Sequence, residues 1–192
     1  MSAIVAETDR LRLRGWDPHL QAEFIRVTNT PAVMRWLGGV ADAANMAAAL
    51  GRIDGFERDF GHTFWAVERR SDGLLLGFCG LKRVNAPGGE HLHGAFEIGW
   101  RFREEAWGQG YASESARTSL DLAFDRFAAP FVVALTVPGN AASQKVMERL
   151  GMRRAPYLDY RDRRFAMPGD LNPAIVTLIG ADEWRAQRAN WR

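Results

Sequence analysis

Glu105-Ala-Trp-Gly-Gln-Gly-Tyr-Ala-Ser-Glu114 is the stretch that decides the fold of this chain. Before it runs the strand-like segment Ala95 to Phe102. After it an amphipathic helix is predicted from about Tyr111 to Phe127, with Ala112, Ala116, Leu120, Ala123, Phe124 and Phe127 as its apolar stripe. Gly108 and Gly110 permit a tight turn and close approach of backbone to a ligand. The helix start aims unpaired N–H groups and the positive end of its dipole into the same space. Strand, glycine turn and helix start together make an anion cradle that suits a phosphate. A second segment, Pro138-Gly-Asn-Ala-Ala-Ser143, also leaves a strand (Pro130 to Val137) and opens a helix.

Working outward, the chain has 192 residues, enough for a single domain over 1–192 with a substantial core. It is 47% hydrophobic and 25% charged, which argues against global disorder. The net charge of +2 lacks the basic stripe of a nucleic-acid binder, and Asp159 and Asp162 dilute the densest basic run, Arg161 to Arg164. The one cysteine, Cys79, lies in an apolar strand-like run and reads as a buried core thiol. It excludes an intrachain disulfide and a Cys-based zinc site, and fits a reducing cytoplasm. No apolar run approaches the ~20 residues of a membrane span, and Met1 to Arg10 shows no signal peptide.

The order of elements follows from pattern. Thr8 to Arg14 alternates as a half-buried strand, with Leu11 and Leu13 on one side. Asp17 or Pro18 opens a helix carrying Leu20, Phe24 and Val27. Pro31 to Trp36 is a short helix. Ala43 to Arg58 is a longer one, with Met46, Leu50, Ile53 and Phe56 inward. Thr63 to Arg69 and Leu74 to Val84 form a hairpin across Ser71-Asp72-Gly73. Asn85 to Glu90 is a loop. In Ala95 to Phe102, Phe96, Ile98, Trp100 and Phe102 share one face and Glu97, Gly99 and Arg101 the other. Asn140 is an N-cap candidate, Val146, Met147 and Leu150 line the next helix, and Gly151 is placed just past its end. Strands at about Met152 to Tyr157 and Ala174 to Gly180 flank a polar turn region, Asp159 to Asp170. Asp182 to Arg188 is a final helix. The expected class is mixed α/β: a mixed, mostly antiparallel sheet with helices on both faces.

These residues resemble the GNAT superfamily of acyl-CoA-dependent N-acetyltransferases, and more narrowly its RimJ/RimL-like branch. Four segments carry the likeness: Thr8-Asp-Arg-Leu-Arg-Leu-Arg14, Glu97-Ile-Gly-Trp100, Trp107-Gly-Gln-Gly-Tyr-Ala-Ser-Glu114, and Asn140-Ala-Ala-Ser143 through Met152. One departure is Glu105, where the superfamily usually has Gln or Arg, so Glu105 is a poor phosphate contact. The resemblance implies acetyl-CoA as cosubstrate, direct attack by an amine in a ternary complex, and no protein nucleophile or metal. It implies that the diphosphate lies on the backbone of Trp107, Gly108, Gln109, Gly110, Tyr111 and Ala112. The pantetheine arm would pair with the strand around Trp100, Phe102 and Arg103, with Gly99 a plausible bulge. Asn140 caps its helix and touches the pantetheine amide. Lys145 either reaches a nucleotide phosphate or is a solvated helix-face lysine.

For the base, Glu97 is the first candidate. Partial burial would raise its pKa toward a useful range, and it can act directly or through water. The alternative is a structural carboxylate. Glu114 is a weaker competitor, since dipole compensation explains it. Ser143 resembles the serine that the branch places near the sulfur; the alternative is a first-turn serine bonded to its own backbone. Tyr157 and Tyr160 are further candidate acids. His62, His91 and His93 read as ordinary histidines. The acceptor, a protein N-terminus or a small-molecule amine, is set by the early helices and the loop from Tyr157 to Asp170. Trp36, Trp65 and Phe56 either line it or pack the core. Two other classes compete: a non-catalytic acyl-CoA sensor, and an interaction module docking on the ribosome through Arg161 to Arg164. A homodimer rests on the resemblance alone.

Overall fold

The structure is a computed structural model that describes residues 2–165 and 169–189. The expected polar turn therefore falls outside the described residues at 166–168. Two compact units emerge, Met1–Lys82 with Gly99–Thr118, and Arg83–Ile98 with Ser119–Arg192.

In the first unit, β1 (Ile4–Glu7), β2 (Leu11–Arg14), β3 (Phe64–Arg69) and β4 (Leu75–Arg83) follow one another as antiparallel neighbours. Sequence reading missed β1, which is short and has no alternating burial. The β3–β4 turn closes as expected. Gly73 takes φ +72, and the Asp72 carboxylate accepts from the Leu74 amide and the Arg69 guanidinium. β5 (Phe96–Phe102) belongs to this unit from Gly99 on and lies beside β4, where the Arg103 amide donates to Leu76 O at 2.8 Å. Gly77 is required here: a Cβ on it would stand 2.0 Å from Arg101 O. Gly99 has a different job, since a Cβ there would meet the Phe64 ring at 2.8 Å.

Helices α1 (Pro18–Thr28), α2 (Pro31–Met34) and α3 (Ala43–Phe60) start at Asp17, Thr30 and Asp42, whose side chains each accept an amide of the first turn. Gly61, at φ +68, ends α3 in the left-handed conformation. Leu20 and Phe24 of α1 and Met46, Leu50 and Ile53 of α3 bury against Ala66, Leu75 and Phe78 of the strands. Phe56 is only half-buried and stacks on Phe60.

In the second unit, β6 (Phe131–Thr136) runs parallel to the start of β5, at Phe96↔Val132 and Glu97↔Val133. On its other side β6 is antiparallel to β9 (Pro173–Gly180), which also pairs with β7 (Arg153–Arg154) and β8 (Tyr160–Arg161). The strand expected over Met152 to Tyr157 shrinks to β7, because Pro156 starts a 3-10 turn, Pro156–Leu158. β8, inside the expected polar turn, is too short to show a period. Helix α4 (Tyr111–Asp121) belongs to the first unit through Thr118; the second takes its end and the π turn that continues it, Leu122–Arg126, followed by α5 (Ala141–Arg149) and α6 (Ala181–Arg188). Val84, Leu92, Val133, Ala155, Tyr160, Val176 and Leu178 share this unit's core. The fold is mixed α/β with mostly antiparallel strands.

Candidate functional site

The turn at Gly108 and Gly110 forms as its sequence dictates. Both glycines have positive φ, +72 and +82, a region that costs other residues about 1–2 kcal/mol. Helix α4 then begins at Tyr111. Among the described residues, the amides from Gly110 through Ser113 donate to no protein acceptor; the turn before them closes at Gln109, and the first amide bonded within the helix is that of Glu114, to Gly110 O. A helix start alone orphans only its first-turn donors. Here the turn ahead of that row is built on two glycines. A Cβ on Gly108 would meet nothing within 4 Å, so the loop is open on that side. Ser113 joins the candidate set: its hydroxyl is buried and also lacks a partner among the described residues. Such a run of aligned donors fits a diphosphate.

Arg10 holds this loop in shape, a role sequence reading missed. It donates to Gln109 O at 3.0 Å, pairs with Glu114 at 2.5 Å, and lies over the Tyr111 ring, 4.7 Å from its centroid. Thr8 Oγ1 also donates to Glu114. Glu114 is thus occupied as the anchor of α4 on the β1–β2 connection, which argues against it as a base. Tyr111 is buried beneath Arg10, and its phenol also engages Arg69. The Trp107 indole donates to Phe102 O, while Gln109 Nε2 bonds Glu105 O. Glu105 turns to Arg103, whose guanidinium holds its carboxyl below the ordinary glutamate value. Trp100 and Arg103 are half-buried and Phe102 is buried.

In the second unit Glu97 is more deeply buried than its alternation suggested, because both neighbours Phe96 and Ile98 are buried as well. Its charge acts on two groups, Tyr160 and Arg164. Burial pushes the Tyr160 phenol well above its usual pKa, and Glu97 and Asp162 add to the shift. That phenol stays protonated through neutral pH. Tyr157, by contrast, is 73% exposed. On α5, Asn140 caps the helix by accepting from the Ser143 amide at 3.2 Å. The Ser143 hydroxyl is half-buried and makes no hydrogen bond among the described residues, so the back-bonded serine is not what forms. Lys145 is exposed.

Other candidates resolve as structural. Trp65 is fully buried and lines no open acceptor site; Trp36 is half-buried beside Arg35. Cys79 is a buried thiol on β4 that forms no disulfide. His62 is buried and bonds Leu81 O, while His91 bonds Leu158 O and meets the Tyr160 ring edge-on. No group of three His, Cys, Asp or Glu suited to a metal occurs among the described residues. Two arginines of the basic run are paired, Arg163 to Glu90 and Arg164 to Asp162. That weakens the ribosome-docking reading. A cavity of about 440 Å³ lies beside it, lined by Gly88, Arg161, Arg163, Phe165 and Asn172. No described helix is long and apolar enough to cross a membrane.

Comparison with known proteins agrees with this geometry. Residues 10–153 match the acetyltransferase (GNAT) domain family. The chain is 35% identical over 146 residues to protein YkkB of Bacillus subtilis (strain 168), covering 76% of this chain and 83% of that one. Its fold is similar to the crystal structure of an acetyltransferase from Agrobacterium tumefaciens str. C58 (TM-score 0.75, 23% identity, 93% of this chain and 95% of that one). It is also similar to the spermidine N-acetyltransferase of Vibrio cholerae, solved with CoA and spermine (TM-score 0.71, 16% identity, 93% and 99% covered). With a glycine turn and helix start that present a row of free amides, the chain belongs to the GNAT acetyltransferase family, enzymes that carry an acetyl group from acetyl-CoA to an amine.

Proposed function

We propose that residues 1–192 act as one RimJ/RimL-like N-acetyltransferase domain that acetylates a primary amine, on a protein N-terminus or a small molecule, by direct attack. The observation that carries this reading is the run of unpartnered amides from Gly110 through Ser113 at the glycine turn. These amides are proposed to hold the diphosphate, and the backbone from Trp100 to Arg103 to pair with the pantetheine arm. Acetyl-CoA supplies an activated carbonyl with a thiolate as leaving group. Glu97, directly or through a water, takes the proton that the ammonium must lose. As the N–C bond forms and the C–S bond breaks, the Ser143 hydroxyl donates to the departing sulfur. Tyr160, kept protonated by burial, is the alternative donor. Lys145 is exposed and free to meet a nucleotide phosphate. The buried single thiol supports a reducing, cytoplasmic setting. A homodimer stays an expectation from family likeness.

The test has two stages. Calorimetric titration with acetyl-CoA should show binding, and a thiol-release screen over amines and short peptides should show turnover. Binding without release across the panel would favour the non-catalytic sensor instead.

A further inference from the structure

The catalytic reading leaves one charged group unexplained. Arg101, on β5, carries its guanidinium into the aromatic cluster of the first unit. It lies 5.6 Å from the centroid of Phe24 and 5.4 Å from that of Phe78. Phe78 stacks on Phe64 at 4.7 Å, and Phe24 meets Trp16 edge-on at 5.3 Å. Gly99, on the same face two residues earlier, is bare, which lets the Phe64 ring approach. The whole of Arg101 is half-buried, but its Nε is buried and has no hydrogen-bond partner among the described residues. No carboxylate among those residues pairs with it. Burial alone lowers its pKa, to about 10, and no neighbouring charge offsets that.

Several other arginines of this unit face a carboxylate. Arg103 has Glu105, Arg14 has Glu68, and Arg10 has Glu114. A guanidinium sunk among phenyl rings without an anion is costly to fold. Ring faces return only about 0.5–2 kcal/mol. A ligand anion would cancel the deficit, and Nε with its neighbouring Nη presents a planar fork that matches a carboxylate. A doubly charged phosphate matches less well, because its hydration is harder to strip beside aromatic rings.

We propose that Arg101 is the specificity residue of the acceptor site, and that the acceptor is an amine that also carries a carboxylate. The proposal rests on the acetyltransferase reading for the word acceptor, but the binding chemistry stands apart from it. A polycation such as spermidine is the opposite kind of molecule, so the same fold would serve a different amine class here.

The experiment is a calorimetric titration of the full chain, with and without saturating CoA, using benzoate, benzamide and phenyl phosphate. Benzoate should bind about tenfold more tightly than benzamide, the value of one charged hydrogen-bonded pair. Arg101→Met should erase that preference, and Arg101→Lys should keep only part of it. The melting temperature of Arg101→Met should equal or exceed that of the wild type, since an unpaired buried charge is removed. A purely structural arginine would show the reverse. Equal binding of benzoate and benzamide, tighter binding of phenyl phosphate, or an undiminished preference in a folded Arg101→Met overturns the proposal. Loss of CoA binding with benzoate selectivity intact would instead count against the acetyltransferase reading alone. If Arg101→Met does not fold, the Arg101→Lys titration and the wild-type ligand comparison still decide.

Discussion

Gly110 shows how much a single residue can carry. Its φ of +82 is left-handed, and the nearest atom to a Cβ there would be Arg10 Nη2 at 3.4 Å. Gly110→Trp therefore adds backbone strain and pushes an indole against the residue that braces the loop. CoA affinity should fall by more than about tenfold, an amount that 1–2 kcal/mol of strain alone nearly supplies. Unchanged calorimetric affinity in a folded variant would remove the loop from the coenzyme site. Glu97→Gln keeps the shape and loses the base. Its kcat should fall by about 10²-fold or more while CoA affinity holds. Ser143→Ala should lower kcat by a smaller factor with KM for acetyl-CoA little changed. If both variants turn over at wild-type rates in the thiol-release assay, the acid–base roles belong elsewhere. Tyr160→Phe then becomes the informative variant.

At the scale of elements, the bracing of α4 is what distinguishes a positioned cradle from a loose turn. Arg10 and Thr8 come from the β1–β2 connection and grip Glu114 in the first turn of α4. Arg10→Ala should cost no more than about 1 kcal/mol of stability, because the pair is partly exposed. Its CoA affinity should nonetheless drop several-fold, since the loop carbonyl at Gln109 is released too. A variant with normal affinity and a lowered melting temperature would make Arg10 purely structural. The caps are legible in the sequence: Asp17, Asn140 and Gly151 announce helix ends by chemistry that acts within a few residues. The glycine turn was legible for the same reason. Arg10 was not, because its partners lie about a hundred positions along the chain, and alternation marked it only as an outward residue of a strand. β1 and β8 escaped notice because such short strands carry no measurable period. The depth of Glu97 was not legible: alternation reports one covered face, whereas the start of β5 is covered on both.

At the scale of the whole molecule, the net charge of +2 conceals many local pairs whose ionisation ties stability to pH. The Gly180 amide and Arg153 hold the Glu183 carboxyl below the ordinary glutamate value of 4.5. The Gly88 amide and Arg163 do the same for Glu90, Arg26 for Glu23, and Arg69 for Asp72. For each, the folded pKa lies under the unfolded one. On acidification the unfolded chain binds protons first, so stability is complete above about 4.5 and declines as pH falls through the lower folded values. Tyr160 works in the other direction. Its folded pKa lies above the ordinary phenol value of 10.0, so its contribution is complete below that value and fades as pH rises past it. Thermal melts across pH should therefore trace a plateau with two falling limbs. Glu183→Gln should flatten part of the acid limb without touching the alkaline one. Tyr160→Phe should do the converse, because removing the buried phenol removes the group that ionisation would force into charge. If Tyr160→Phe melts with the same alkaline slope as the wild type, the phenol is not held protonated by its surroundings. It would then lose its standing as the alternative proton donor to sulfur, leaving Ser143 alone in that role.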